Sequence, residues 1–383
     1  MPQIWLKPGK SKPILQRHSW IFQGSVERFS HPNSVGLAEV LNENNQVLGY
    51  GFTDPGSQMV CRIFHFGTLE NPKFDLAYWK KRFSKCLEIR RNFLPPQTDT
   101  YRLIHAEGDD IPGLIVDIYG GNTAVVQTNL PATTQWIGTW KTILSELGFQ
   151  YFFHKANFQK EGKWISETPK LPLRSLEYGF AFEVDVEKGQ KTGFFIDQRE
   201  NRKFIGQYAK EKKVLNAFSF SGGFSVFAIA GGAREVHSVD ISKEACAMAE
   251  RNVQINFPEF KNHKCITKDC FEYLRKMDDD FDLIVLDPPA FAKSKSALEA
   301  ATRGYKEINL HAFKKIKPGG FLATFSCSQH MDKELFRKVV FGAASDAGRS
   351  ARILHFFVQP PDHPINLFHP ESEYLKGLFI QVD

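Results

Sequence analysis

The chain is short of the features that mark several common protein classes. Its six cysteines, Cys61, Cys86, Cys246, Cys265, Cys270 and Cys327, are scattered through 383 residues, and none forms a Cys-x-x-Cys pair. That spacing argues against a zinc site and against a disulfide framework, so a reducing, cytoplasmic setting is expected. No apolar run approaches the roughly 18 residues that a membrane span needs. The segment Met1-Pro2-Gln3-Ile4-Trp5-Leu6-Lys7-Pro8 has no basic stretch followed by a long apolar core, so no secretory leader is expected. The dinucleotide fingerprint Gly-x-Gly-x-x-Gly is missing, as is the phosphate loop Gly-x-x-x-x-Gly-Lys-Ser/Thr, which disfavours NAD and ATP. Excess charge is small: Lys+Arg 49 against Asp+Glu 43 gives a net +6, which permits nucleic-acid binding without demanding it.

What is present reads as several domains in an α/β chain. Residues 1 to about 70 form a β-rich unit, with strands expected over 35–40, 47–52 and 59–64 and a turn at Asn42-Glu43-Asn44-Asn45. Before them, Arg17-His18-Ser19-Trp20-Ile21-Phe22 mixes basic and aromatic side chains. Over 75–94, Trp79, Phe83, Cys86 and Leu87 recur at helical spacing, and Pro95-Pro96 stops the helix, so 71–99 reads as a helical connector. Residues 100–188 read as a central α+β unit. It contains a hairpin (114–119, Gly120-Gly121-Asn122, 124–127) and a helix from Thr133 to Leu147.

The rest, 189–383, alternates strands and helices. Short apolar strands at 214–217, 236–239, 263–267, 283–286 and 321–325 are separated by helical stretches such as 242–256, where Ser242 can cap. That alternation predicts a doubly wound, Rossmann-like parallel sheet. In such sheets, ligands collect beyond the carboxyl ends of the strands.

The strand ends carry the chemistry. After the first comes Asn216-Ala217-Phe218-Ser219-Phe220-Ser221-Gly222-Gly223, where the glycines allow backbone to approach a ligand closely. Asn216, Phe218, Ser221 and Gly222 are the candidate contacts there. Asp240 ends the second strand, placed to accept from ribose hydroxyls, and Asp269 follows the third, placed to meet an adenine amine. An adenosine ligand without phosphates suits this set, and S-adenosyl-L-methionine is such a ligand. Upstream, Lys191–Arg202 contains Gly-Phe-Phe-Ile-Asp-Gln-Arg, read as a wall of the cofactor pocket with Arg199 organising carboxylates.

Asp287-Pro288-Pro289-Ala290-Phe291 follows the fourth strand, and Ser326-Cys327-Ser328 the fifth. Proline fixes φ and removes an amide donor, so this backbone presents carbonyls to a substrate. Those carbonyls suit either an exocyclic amine, for methylation of a base nitrogen, or the edge of a cytosine. A reactive thiol at Cys327 would favour the second, because C5 of cytosine becomes nucleophilic only after a nucleophile adds at C6. Pro288, Pro289 and Phe291 are candidate base contacts. Lys293 and Lys295 are candidates to hold phosphates.

The segments 191–202, 214–224, Asp240, 286–291 and 326–328 resemble the bacterial large-subunit ribosomal RNA cytosine-C5 methyltransferases that carry an N-terminal PUA domain. Arg17–Phe22 and Gly49-Tyr50-Gly51-Phe52 look like the PUA domain, and Glu107–Leu114 like the central unit of that family. The resemblance implies a class I methyltransferase domain at 189–383, S-adenosyl-L-methionine as cofactor and 23S ribosomal RNA as partner, and it allows a homodimer. It implies Cys327 as nucleophile, Asp287 in the catalytic pocket, Asp240 and Asp269 on the adenosine, and Ser221-Gly222 near the methionine. Many RNA cytosine-C5 methyltransferases have a second cysteine after the first proline of the Asp-Pro motif. Pro289 stands there, so the chain resembles the single-cysteine type. Two further readings stay open: a base-nitrogen methyltransferase that leaves Cys327 idle, and a non-catalytic RNA-binding assembly factor.

Overall fold

The computed structural model describes every residue except Lys160, Gln190, Asp279 and Lys293. The chain divides into two compact units. One comprises Met1–Gly179, Val184–Ile196 and Pro361–Ser372; the other comprises Phe180–Glu183, Asp197–Pro360 and Glu373–Asp383.

The first unit contains two sheets. Six strands (Gln3–Leu6, Trp20–Phe22, Val26–Phe29, Gly36–Leu41, Val47–Thr53 and Met59–Phe66) form the N-terminal sheet. The expected turn is built by Asn42, whose Oδ1 accepts from the backbone N–H of Asn44 and of Gln46, both at 2.9 Å. The helix Leu76–Phe93 is capped by Asp75 and buries Trp79, Phe83, Cys86 and Leu87, the stripe its spacing predicts. Trp79 stacks on Phe52 at 5.6 Å and meets Trp140 edge-on at 5.3 Å, while Phe83 stacks on Trp140 at 5.5 Å. One apolar core therefore runs from the N-terminal sheet through this helix to the five-stranded sheet of the central region. The segments 1–70, 71–99 and the bulk of 100–188, distinct in pattern, share one compact unit for that reason.

The hairpin forms as Leu114–Tyr119 paired antiparallel with Thr123–Thr128. The single helix expected from Thr133 to Leu147 is instead two, Pro131–Thr134 and Ile137–Glu146. The Thr133 and Thr134 hydroxyls bond back to the Leu130 carbonyl at 2.9 and 3.1 Å, and the Trp140 indole takes the Thr133 carbonyl at 2.9 Å. Side-chain competition of this kind interrupts helical hydrogen bonding.

The second unit is a seven-stranded sheet with helices. Its strands are β1 (Lys213–Ala217), β2 (Glu235–Asp240), β3 (His263–Thr267), β4 (Phe281–Leu286), β5 (Ile316–Ser326), β6 (Ala351–Phe357) and β7 (Lys376–Val382). The helices used below are α1 (Arg199–Gln207), α2 (Gly223–Ala230), α3 (Lys243–Asn256), α4 (Cys270–Lys276), α5 (Leu298–Lys315) and α6 (Lys333–Asp346). The spatial order is β3-β2-β1-β4-β5-β7-β6. The doubly wound parallel sheet is correct for β1 to β5 and needs one correction: β7 is antiparallel to both neighbours, β5 and β6. Among the described residues no α-helix lies between β6 and β7, only the single 3-10 turn Pro370–Ser372, and a return without a crossover helix leaves neighbouring strands antiparallel.

The helices start where the side chains can cap them. Ser242, Asp269 and Asp332 accept from Ala245, Glu272 and Leu335 backbone N–H groups at 3.1, 2.9 and 2.7 Å, opening α3, α4 and α6. The faces of α4, α5 and α6 bury Leu274, Tyr305, Ile308, Phe313 and Phe336 with the apolar strand residues Ile284, Leu286 and Leu322. Strand order reverses between β1 and β4, and the crevice beyond that point is where an open α/β sheet binds ligands.

Candidate active site

The register of the sheet brings the sequence motifs together. Ala217 pairs with Leu286 across β1 and β4, and with Val239 across β1 and β2, so the turn after β1 lies between Asp240 and Asp287. Leu286 pairs with Thr324, which places Asp287-Pro288-Pro289 beside the strand end that leads to Cys327. Four loops, from β1, β2, β4 and β5, thus converge at the reversal.

The turn after β1 is sharply wound. Phe218, Phe220 and Gly222 have φ of 60°, 44° and 75°. A Cβ at Gly222 would lie 2.8 Å from Ala249 Cβ and 2.9 Å from its Cα on α3, so only glycine lets the turn close there. The turn is held from three sides. Asp240 Oδ2 accepts the Phe220 N–H and Oδ1 accepts the Ser242 N–H, each at 2.9 Å. Asn252 on α3 donates to the Ser221 carbonyl at 2.9 Å. The Phe218 N–H reaches Cys270 Sγ at 3.2 Å, and that thiol in turn donates to the Val239 carbonyl at 3.5 Å. Cys270 is therefore a structural pin, a role with no signal in the sequence.

Beneath the turn, Asn216 Nδ2 donates to Ser225 Oγ at 2.9 Å, Ser225 lies 2.7 Å from Ser238, and Ser238 lies 2.8 Å from His263 Nε2. Asn216 Oδ1 and Ser219 Oγ are buried without a partner among the described residues. Buried polar atoms are nearly always satisfied, so these two leave hydrogen-bonding capacity for a ligand at the turn. With the carboxylate of Asp240 at the next strand end, the cradle suits an adenosine-bearing, phosphate-free cofactor. Asp269 spends Oδ1 on the α4 cap.

Two polar relays organise the chemistry side. Asn201 Nδ2 donates to Gln198 Oε1 at 2.6 Å, and Gln198 Nε2 donates to Asp287 Oδ1 at 2.9 Å. The Asp-Gln-Arg segment therefore orients the Asp-Pro-Pro carboxylate through Gln198, a residue sequence reasoning did not single out. Arg199 is buried, with Nε 3.0 Å from Glu200 Oε1, and Arg202 runs so close to Gly223 that a Cβ there would meet its Cδ at 2.7 Å.

The second relay fixes Ser-Cys-Ser. Ser326 Oγ donates to Tyr305 Oη at 3.0 Å, Tyr305 Oη lies 3.0 Å from Ser328 Oγ, and Ser328 Oγ accepts the Ala292 N–H at 3.1 Å. Both serines are buried and Cys327 between them is partly exposed, its Sγ 3.9 Å from the Pro288 carbonyl oxygen. Burial pushes Cys61, Cys86, Cys265 and Cys270 each up to about 12. Those thiols stay protonated at neutral pH.

Pro288 is buried and Pro289 exposed. Phe291 packs at 4.6 Å from the Tyr305 ring and at 5.6 Å from Phe271, so it is partly a core residue. Lys293 lies outside the described residues. Lys376 is a second site residue that went unnoticed. It pairs with Ser326 across β5 and β7 and is 7% exposed, its ammonium donating to the Ser328 and Met331 carbonyls at 2.7 and 2.6 Å. A lysine heading the apolar strand Lys376-Gly377-Leu378-Phe379-Ile380 was the available signal.

In the other unit, Trp20 is used structurally. Its indole N–H donates to Glu107 at 2.9 Å and its ring meets His369 at 4.5 Å. Donor atoms of His18, His369 and Glu371 lie within 4.8 Å of one another, a spacing compatible with a metal ion. However, His18 Nδ1 accepts the Trp20 N–H at 3.3 Å, so the neutral ring carries its proton on Nε2, facing Glu371 Oε1 at 3.3 Å. That hydrogen bond accounts for the approach of this pair without an ion. Among the described residues, no helix is long and apolar enough to cross a membrane.

The fold and strand order define a methyltransferase of the Rossmann-like class. The family of S-adenosylmethionine-dependent methyltransferases matches residues 133–367, and a PUA-like domain matches residues 4–66. The chain belongs to that methyltransferase family, uses S-adenosylmethionine and carries an N-terminal PUA-like domain. It is 38% identical over 395 residues to Ribosomal RNA large subunit methyltransferase I of Aeromonas salmonicida, covering 99% of this chain and 98% of that protein. The protein of the same name from Klebsiella pneumoniae is 37% identical over 398 residues, covering 100% and 98%. A solved structure of a protein from Streptococcus mutans covers the whole of both chains with a TM-score of 0.87 and 22% identity, a likeness of fold.

Proposed function

We propose that the chain is a ribosomal RNA methyltransferase that forms 5-methylcytosine in 23S RNA, with Cys327 as covalent nucleophile. The observation that carries this reading is the placement of Cys327. Its flanking serines are tied back to Tyr305, and the thiol is left accessible 3.9 Å from the Pro288 carbonyl of the Asp-Pro-Pro turn. The full-length similarity to enzymes named for the ribosomal large subunit supports the substrate class.

In this reading Asn216, Phe218, Ser221, Gly222, Asp240 and Asp269 hold S-adenosylmethionine, with Arg199 supporting the wall. The bound cofactor supplies an electrophilic methyl group to C5 of the base. Pro288, Pro289 and Phe291 hold the cytosine, which must be unstacked to enter. Asp287, fixed by Gln198, stands at the ring edge. The Cys327 thiolate forms a bond to C6; the C5–C6 π pair moves to C5, which becomes nucleophilic. After C5 is methylated, its proton leaves to a base, the C5–C6 double bond re-forms and the S–C6 bond breaks, returning the pair to sulfur. Pro289 occupies the position of the second cysteine of two-cysteine enzymes, so Cys327 acts alone as the thiol.

The test is nucleoside mass spectrometry. Unmodified ribosomal RNA is incubated with methyl-labelled S-adenosylmethionine and wild-type or Cys327→Ala protein, then digested. Label in 5-methylcytidine that vanishes in Cys327→Ala is the expected result. Label in a base-nitrogen product, or undiminished 5-methylcytidine from Cys327→Ala, overturns the covalent reading.

A further inference from the structure

Cys327 has a buried cation for a neighbour. Lys376 lies opposite Ser326 in the β5–β7 ladder, and its ammonium is pinned to the carbonyl of Ser328, the residue after the cysteine, and to that of Met331. A lysine ammonium has three donors; the third has no hydrogen-bond partner among the described residues. No carboxylate among them neutralises it by direct contact. Asp332 is committed to the α6 cap at 2.7 Å and Glu373 to Lys333 at 2.5 Å. Burying an ammonium without a partner carboxylate is expensive, and such a group is retained where its charge is used.

We propose that Lys376 is a positioning residue for Cys327: its buried ammonium is the counter-charge that holds the thiol in its reactive thiolate form. This rests on the reading of Cys327 as nucleophile. The thiol proton goes to solvent and Lys376 keeps all of its own, so no bond to Lys376 forms or breaks. The groups that face Lys376 are Cys327, Glu373 and Asp332, which favour its charge, and Lys333, which opposes it. Burial pushes Lys376 down to about 8, so it is mostly charged at neutral pH. Tyr305, bonded to both serines that flank Cys327, is a phenol raised by burial that stays neutral in the same range and adds no competing charge.

The experiment titrates the thiol without using catalysis. The protein is alkylated with iodoacetamide between pH 6 and 10, and modification of Cys327 is quantified by peptide mass spectrometry. A free cysteine has its midpoint near about 8.5. The wild-type midpoint is expected at least about one unit lower, because a nearby opposite charge moves a pKa by about 1–3 units. Lys376→Met is expected to raise the midpoint by about one unit or more, slowing alkylation at pH 7 about tenfold. Lys376→Arg, which keeps the charge, is expected to stay near wild type, and the pH profile of kcat/KM is expected to move in step with the thiol. A wild-type midpoint at or above about 8.5, coincident wild-type and Lys376→Met profiles, or an Arg variant as slow as the Met variant overturns the proposal. If Lys376→Met fails to fold, judged by loss of the thermal shift with S-adenosylmethionine, the wild-type midpoint and the Arg variant decide. Failure of the Cys327 reading is seen separately, as undiminished 5-methylcytidine from Cys327→Ala.

Discussion

Gly222→Ala is the sharpest probe of the cofactor turn, because its effect can be worked from two independent features. Gly222 has φ of 75°, in the left-handed region, where a residue with a Cβ is disfavoured by about 1–2 kcal/mol. The new methyl would also sit 2.8 Å from Ala249 Cβ and 2.9 Å from Ala249 Cα. The second of these is a backbone carbon in the middle of α3, which cannot swing aside, and overpacking of this kind costs about 1–3 kcal/mol. Together these give about 2–5 kcal/mol, a large share of the roughly 5–15 kcal/mol by which a domain is usually stable. Relief comes either as global destabilisation or as opening of the turn, which displaces Ser221 and weakens the cofactor. If about 2 kcal/mol falls on binding, affinity drops about thirtyfold. Denaturant unfolding and calorimetric titration with S-adenosylmethionine measure the two parts. Ala249→Gly added to the first substitution removes the clash with the Ala249 methyl but leaves the close approach to the α3 backbone and the left-handed strain, so it is expected to restore part of the loss. A Gly222→Ala protein with stability within about 0.5 kcal/mol of wild type and unchanged affinity would refute the packing account of this turn.

Two further outcomes are expected. Gln198→Leu removes the 2.9 Å hydrogen bond to Asp287 Oδ1 while keeping the side chain's size. The substitution also takes away the acceptor of the 2.6 Å bond from Asn201, and a hydrogen bond to a charged group contributes about 1.5–3 kcal/mol, so Tm is expected to fall and kcat of the folded protein to fall about tenfold or more; a rate within about twofold of wild type, well under the roughly 1.4 kcal/mol that a tenfold change represents, would show that Gln198 does not orient the carboxylate. Burial lowers His263 to about 4 from an ordinary 6.5, with His237 adding to the shift, and its Nε2 meets Ser238 at 2.8 Å. The folded ring stays neutral where the unfolded ring takes up a proton, so its contribution to stability is full above about 6.5 and is lost as pH falls towards about 4. Chemical denaturation across that window is expected to show the decline, and His263→Gln to flatten it.

The sequence by itself determined the elements that obey short-range rules. The five parallel strands were legible as apolar runs, α3 as a period-3.6 pattern behind a Ser242 cap, and the helix Leu76–Phe93 as a stripe ending before Pro95-Pro96. The strand-end residues Asp240, Asp287 and Cys327 were legible as candidates because polar or reactive side chains directly after apolar strands have one place to go in an open α/β sheet. Tertiary structure alone decided which of these meet. Strand order comes from pairings between segments tens of residues apart, and it sets Leu286 between Ala217 and Thr324. The same long-range pairing put β7 antiparallel beside β5 and so brought Lys376 next to the Ser-Cys-Ser segment. Cys270 pinning Phe218, Tyr305 tying back both serines and Gln198 holding Asp287 were invisible for the same reason. A hydrogen bond between distant residues depends on where the fold delivers the two atoms, and local pattern carries no record of that.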